Sequence, residues 1–137
     1  MDKLYTAHVT VRAGRDGSIR SDDGRLEARL AFPRSMGGDG NGTNPEQLFA
    51  AGYAACFAST LAAVGKAAGV PLRDVEVSSE VDVLHEAGTF DLGIRLVVKA
   101  NGADRQALEG LIETAKQACP YSRATKGSLA TTITVAS

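Results

Sequence analysis

Between Glu46 and Lys66 the chain carries no charge, and Ala is the commonest residue there. The stretch opens with helix-start signals: Asn44 suits the N-cap, Pro45 the first helical position and Gln47 a capping-box partner. Gly69 and Pro71 mark its end, so the spacing predicts a helix from 45 to about 68. At ~1.5 Å per residue it would be roughly 35 Å long. A helix that is apolar all round is buried in lipid or in protein. Length alone would let this one span a bilayer. Its content of Ala, Gly52, Tyr53, Ser59 and Thr60, with few large aliphatics, points to protein. Whatever the chain folds into must surround this helix with other elements.

Those other elements are legible in outline. Residues 4 to 32 read as strands joined by turns at Asp16-Gly17 and Asp23-Gly24. Leu26, Ala28, Leu30 and Phe32 alternate as in a half-buried strand that Pro33 ends. Val75, Val77, Val81 and Val83, then Phe90, Leu92, Ile94, Leu96 and Val98, predict two long strands around a turn near Glu86-Ala87-Gly88. They should form an antiparallel hairpin with one buried face. Leu108, Leu111, Ile112 and Ala115 share one face of a helix over 103–118 that Pro120 ends, and Leu129, Thr131, Ile133 and Val135 make a last strand. The order of strands, helix, strands, helix, strand is α+β. At 137 residues, a single domain over 1–137 is expected.

Charge and composition remove whole classes of function. A formal net charge of −1 gives no basic surplus for a nucleic-acid partner. Two cysteines are too few for a disulfide-stapled secreted scaffold. Met1-Asp2-Lys3-Leu4-Tyr5-Thr6 has no apolar run of the secretory kind, so the cytoplasm is the expected compartment and no membrane partner is expected. His8 and His85 lie far in sequence from each other and from both cysteines, with no metal-ligand spacing, so no metal site is expected. The loop Gly37-Gly38-Asp39-Gly40-Asn41-Gly42 has the glycine spacing of a phosphate cradle, but Thr43-Asn44 stands where Lys-Ser/Thr is required. A flexible connection, or a lid, is the better account. No bound cofactor is expected.

The cysteines are more informative. Cys56 lies mid-helix and Cys119 at a helix end before Pro120. A free cysteine in an Ala-rich helix is ordinarily a small buried hydrophobe. Reactivity needs a thiolate, and an unperturbed thiol with pKa ~8.5 is a few per cent ionised at neutral pH. Mid-helix, Cys56 gets no help from a helix N-terminus. A cation from a distant segment would have to supply it, and Arg suits a partly buried pair because it stays charged.

Three separated motifs carry a resemblance. The run Asn44-Pro45-Glu46-Gln47-Leu48-Phe49-Ala50-Ala51-Gly52-Tyr53-Ala54-Ala55-Cys56-Phe57 resembles the cysteine helix of the organic hydroperoxide resistance (Ohr) branch of the OsmC/Ohr family. Ala118-Cys119-Pro120-Tyr121-Ser122-Arg123-Ala124-Thr125 resembles the second cysteine motif, and Gly14-Arg15-Asp16-Gly17 the arginine turn. The opening Leu4-Tyr5-Thr6-Ala7 matches as well. Departures fall at Gly127-Ser128, where Asn often follows the glycine, and at Arg123 and Lys126.

The resemblance implies an α+β fold with antiparallel sheets around two main helices, assembled as an intertwined homodimer. It implies a thiol peroxidase reducing organic hydroperoxides to alcohols, recycled by an external dithiol such as a lipoylated protein. Cys56 would be the peroxidatic thiolate and Cys119 the resolving thiol, with Arg15 and Glu46 ordering the site. An adjacent guanidinium lowers a thiol pKa by ~1–3 and can donate to the peroxide oxygens. Glu46 would clamp Arg15 through charge-assisted hydrogen bonds. Phe49, Tyr53 and Phe57, with Met36 and Phe32, offer apolar walls that favour alkyl or lipid hydroperoxides over H₂O₂. Glu46 and Cys56 are ten residues apart on one helix, about 15 Å along its axis. Arg15 and Glu46 of one subunit are therefore expected to serve Cys56 of the other.

Two alternatives stand beside this. One is an OsmC-branch peroxidase of broader range, against which the Ala-Cys-Pro-Tyr-Ser and Gly-Arg-Asp-Gly motifs argue. The other is a noncatalytic redox-sensing or ligand-binding domain, which would keep the cysteines without turnover.

Overall fold

The computed structural model describes residues 1–127 and 130–137. The chain divides into two compact units, Met1–Leu48 and Phe49–Ser137.

The first unit is a small antiparallel sheet in the order β1 (Val9–Arg12), β2 (Ser18–Ser21), β3 (Glu27–Arg29). Both expected turns are present. The first contains a 3₁₀ turn at Gly14–Asp16, entered through Ala13 and Gly14 at φ of 61° and 71°. Gly17 closes it by donating its N–H to the Gly14 carbonyl at 3.1 Å. A Cβ at Gly17 would run into the Arg12 carbonyl, so only glycine fits there. The second turn is fastened by Asp23, which accepts from the Ser21 hydroxyl at 2.7 Å and the Arg25 N–H at 3.0 Å. The strand expected through Phe32 is shorter: β3 stops at Arg29, and Leu30 makes only an isolated parallel bridge to Thr43. The backbone beyond it is tied up locally, with Gly38 donating to Pro33 and Gly40 to Phe32 at 3.1 and 3.0 Å.

Helix α1 (Pro45–Ala67) begins where expected. The Asn44 side chain accepts from the Gln47 N–H at 2.9 Å, which is the N-cap bond. The capping box does not form, because the Gln47 side chain instead accepts from the Thr43 hydroxyl at 2.7 Å. The helix ends in a Schellman motif. Gly69, at φ 74°, donates to Lys66 at 3.1 Å, and Val70 donates to Gly65 at 2.8 Å.

The second unit is two-layered. Its sheet runs β4 (Arg73–Glu86), β5 (Thr89–Asn101), β6 (Ala130–Val135). The β4–β5 hairpin is antiparallel, with Glu86 opposite Thr89 around Ala87-Gly88. Both turn residues have positive φ, 50° and 82°, as a type I′ turn demands. The all-antiparallel expectation fails at β6, which pairs with β5 in parallel, Gly93 opposite Ala130 through Val98 opposite Val135. Parallel neighbours need a crossover, and α2 (Arg105–Ala118) and α3 (Pro120–Thr125) lie on it. Leu129, expected in the last strand, lies outside the described residues.

Ile94, Leu96 and Val98 from β5 meet Tyr53, Phe57 and Leu61 from α1 and Leu108, Leu111, Ile112 and Ala115 from α2 in one core. Phe57 and Leu61 are fully buried, each contributing about 1.5–3 kcal/mol. The expectation that α1 is surrounded does not hold within one chain. Only the stripe Tyr53, Phe57, Leu61 and Gly65 is buried, while Ala51, Ala55, Ser59 and Ala63 are exposed. The helix is long and apolar enough to cross a membrane, yet its large side chains pack into this core.

Candidate active site

Cys119 sits at the junction of two helices. Its N–H closes α2 on the Ala115 carbonyl at 2.8 Å, and its carbonyl receives the Arg123 N–H of α3 at 2.9 Å. Pro120 forces this geometry, because the residue before proline is driven out of the helical region, and Cys119 has ψ 122°. Proline was expected only to end α2; it also occupies the first position of α3.

The turn aims Cys119 at α1. Its Sγ lies 3.6 Å from Cys56 Sγ, across a sequence separation of 63. Both cysteines are free. Cys119 is completely buried whereas Cys56 is half-buried, so Cys56 is the sulfur that a small molecule can reach. Burial pushes the Cys56 thiol pKa up, a backbone hydrogen bond from Tyr121 pulls it down, and the neighbouring Cys119 thiol pushes it up again. The net direction is upward.

Aromatic rings wall this region. Tyr53 packs edge-on to Phe49 at 6.2 Å and lies 5.6 Å from Tyr121, which is 6.1 Å from Phe49. A Cβ on Gly52 would stand 2.5 Å from the Tyr121 hydroxyl, so glycine there lets the ring lie over α1. The buried Tyr53 hydroxyl hydrogen-bonds the Ser122 hydroxyl at 2.7 Å. Tyr53 and Ser122 also line a cavity of about 380 Å³ whose rim carries Lys116, Arg123 and Lys126. Tyr121 and Ser122 belong to the second cysteine motif, and their spacing of two and three residues from Cys119 is the sequence signal that marks them.

Phe57 corrects one expectation. It is 0% exposed, at the centre of the core, and presents no wall to a ligand. On a long helix every third or fourth position shares a face, and Phe57 lies one turn past Tyr53 on the inward stripe.

The other two expected residues meet in the first unit. Arg15, on the 3₁₀ turn, donates from both terminal nitrogens to both carboxylate oxygens of Glu46, at 3.0 and 2.6 Å. The Arg15 hydrogen bonds hold the Glu46 carboxyl below its ordinary range despite partial burial. The guanidinium carbon lies 6.0 Å above the centre of the Phe32 ring, within cation–π range. Met36 closes the 3₁₀ turn Arg34–Met36 and is exposed.

Comparison with known proteins places this arrangement. The family model described as OsmC-like protein matches residues 38–134. The organic hydroperoxide resistance protein of Xanthomonas axonopodis pv. citri is 44% identical over 97% of this chain and 95% of that protein. The chain belongs to the Ohr branch of the OsmC-like family. Among solved Ohr structures, one from Legionella pneumophila, described as an organic hydroperoxide resistance protein OsmC, superposes with a TM-score of 0.93 at 39% identity, covering 99% of this chain and 100% of that one. One from Vibrio cholerae, a putative organic hydroperoxide resistance protein with captopril bound in one of the active sites, gives 0.91 at 39% identity, covering 98% and 94%. The α+β fold is thus the OsmC/Ohr fold.

Proposed function

We propose that this Ohr-family chain is a thiol peroxidase that reduces organic hydroperoxides to alcohols through Cys56. The observation that carries the reading is the pair of free sulfurs 3.6 Å apart, one reachable and one buried. Cys56 attacks the peroxide, the O–O bond breaks, the alcohol leaves, and Cys56 is left as a sulfenic acid. Cys119 condenses with it to a disulfide and water before a second peroxide can over-oxidise it. A dithiol, such as the dihydrolipoyl group of a lipoylated protein, then restores both thiols by exchange.

Attack on a peroxide needs a thiolate, and burial works against one at Cys56, so the reading calls for a nearby cation. We assign it to Arg15 of the partner subunit in a homodimer, with Glu46 fixing the guanidinium. The uncovered small-residue face of α1 and the exposed Leu4, Tyr5, Val9 and Val11 support an assembly larger than one chain. Phe49 and Tyr121, which pack on each other at 6.1 Å, make this region apolar and favour alkyl or lipid hydroperoxides. The captopril-bound Vibrio relative supports a site open to a small organic molecule.

Steady-state consumption of cumene hydroperoxide with dihydrolipoamide tests the proposal. Turnover lost in Cys56→Ser, and a much lower kcat/KM for H₂O₂, are the expected results. No turnover in the native protein overturns it in favour of a sensing or binding domain.

A further inference from the structure

The sulfurs are not the only pair bridging α1 and the Cys119 segment. Tyr53 precedes Cys56 by three positions on α1, so the two side chains lie on neighbouring lines of one face. Ser122 follows Cys119 by three positions, in α3. The Tyr53–Ser122 hydroxyl bond at 2.7 Å and the Cys56–Cys119 contact at 3.6 Å are therefore two rungs between the same two segments. They differ in strength. A thiol is a weak donor and a weak acceptor, so the sulfur contact does little to hold itself together. The hydroxyl bond is short, and Tyr53 is 1% exposed. Its ring is fixed by Phe49 and Tyr121, leaving the hydroxyl little room to turn elsewhere.

We propose that the Tyr53–Ser122 hydrogen bond holds Cys119 against Cys56, making both hydroxyl residues positioning residues for closure of the Cys56–Cys119 disulfide. The proposal rests on the reading that these two cysteines form that disulfide. In closure the Cys119 sulfur displaces the sulfenic oxygen: an S–S bond forms, the S–O bond breaks, and the oxygen leaves as water. The competing reaction is a second hydroperoxide, which passes an oxygen to the sulfenic acid and gives sulfinate plus alcohol. The choice depends on how much of the time Cys119 is in place. Ser122 rides on the helix that Cys119 begins, so tethering its hydroxyl limits how far the thiol can withdraw.

The test measures the effective concentration of the two thiols, without any peroxide. The reduced protein is equilibrated with glutathione and oxidised glutathione, which supplies the oxidant, then quenched with acid. The closed disulfide is counted by alkylation and mass. Tyr53→Phe and Ser122→Ala should each lower the effective concentration by about five- to tenfold, the size of one net hydrogen bond. The double variant should lose no more than either single one, and Ser122→Thr, which keeps the hydroxyl, should stay near the native value. A merely structural role would lower Tm in the variants and leave the redox equilibrium of the folded protein alone. Values within twofold of native for both single variants, or multiplied losses in the double variant, overturn the proposal. Should Tyr53→Phe fail to fold, the Ser122→Ala and Ser122→Thr pair decides alone. Failure of the peroxidase reading would appear separately, as absence of hydroperoxide consumption.

Discussion

Arg15 and Glu46, separated by 31 positions, are joined by two parallel hydrogen bonds of 3.0 and 2.6 Å. The pair is partly shielded, with the carboxylate side chain 13% exposed and the guanidinium 33%. Glu46 has a depressed pKa in the folded protein, set first by its bonds to Arg15. The stability it contributes is present above the unfolded pKa of about 4.3 and is lost as pH falls through the lower folded value. A solvent-touched pair of this kind contributes about 1 kcal/mol. Urea titrations of the native protein and Glu46→Gln should differ by that amount at neutral pH, and the gap should close on acidification. A gap that persists undiminished at acid pH would show that Glu46 acts by packing instead.

Replacing Cys119 by serine removes a neighbour that raises the Cys56 thiol pKa. Iodoacetamide alkylation of Cys56 as a function of pH should shift to lower pH in Cys119→Ser. After one equivalent of cumene hydroperoxide, the native protein should lose roughly 2 Da, the mark of a disulfide. Cys119→Ser should gain oxygen instead and stop after one turnover. An unchanged alkylation profile would mean that the contact does not influence ionisation.

Shared sites make a distinctive genetic prediction. Arg15→Ala and Cys56→Ser chains should each be inactive alone. Mixed under conditions that exchange subunits, they should recover up to about a quarter of native activity, because half of the dimers are hybrids with one intact site out of two. Activity that stays at zero in hybrids isolated by two affinity tags would place Arg15 and Cys56 in the same chain.

Two backbone positions give stability tests of opposite sign. Ala87 holds a positive φ of 50° in the β4–β5 turn. Ala87→Asn or Ala87→Gly should stabilise the protein by about 0.5–1 kcal/mol, read as a higher urea midpoint with unchanged slope. Gly17→Ala drives a methyl into the Arg12 carbonyl. It should cost about 2 kcal/mol or more and reduce peroxidase activity by moving the turn that carries Arg15.

What the sequence made legible follows physical lines. Period-two alternation located the β4–β5 hairpin closely, because its strands are long and one face is buried. Asn44, Pro45 and Gly69 marked the ends of α1 to within a residue, since caps depend only on neighbours along the chain. The parallel setting of β6 was hidden, because strand direction is decided by where the crossover emerges, which no local pattern records. The role of Phe57 was misjudged for a related reason. An aromatic residue next to a cysteine in sequence points elsewhere on a helix, and an Ala-rich stretch gives no hydrophobic stripe from which to read its direction. The Arg15–Glu46 and Cys56–Cys119 pairings came from motif resemblance; composition and spacing alone left both cysteines as small core residues.

The parallel pairing of β5 with β6 also sets an order of events during synthesis. The ribosome completes α1, with Cys56, well before the segment bearing Cys119, and residues 93–98 wait for residues 130–135 before the sheet can close. Until then the crossover is unanchored at its far end. On the proposed mechanism a nascent chain carries Cys56 without the partner subunit's Arg15, so its sulfur is not yet activated toward peroxide. Stalled or truncated copies lacking the last strand should therefore be slow to react with peroxide at position 56, and activation of that sulfur should wait for the completed fold and its assembly.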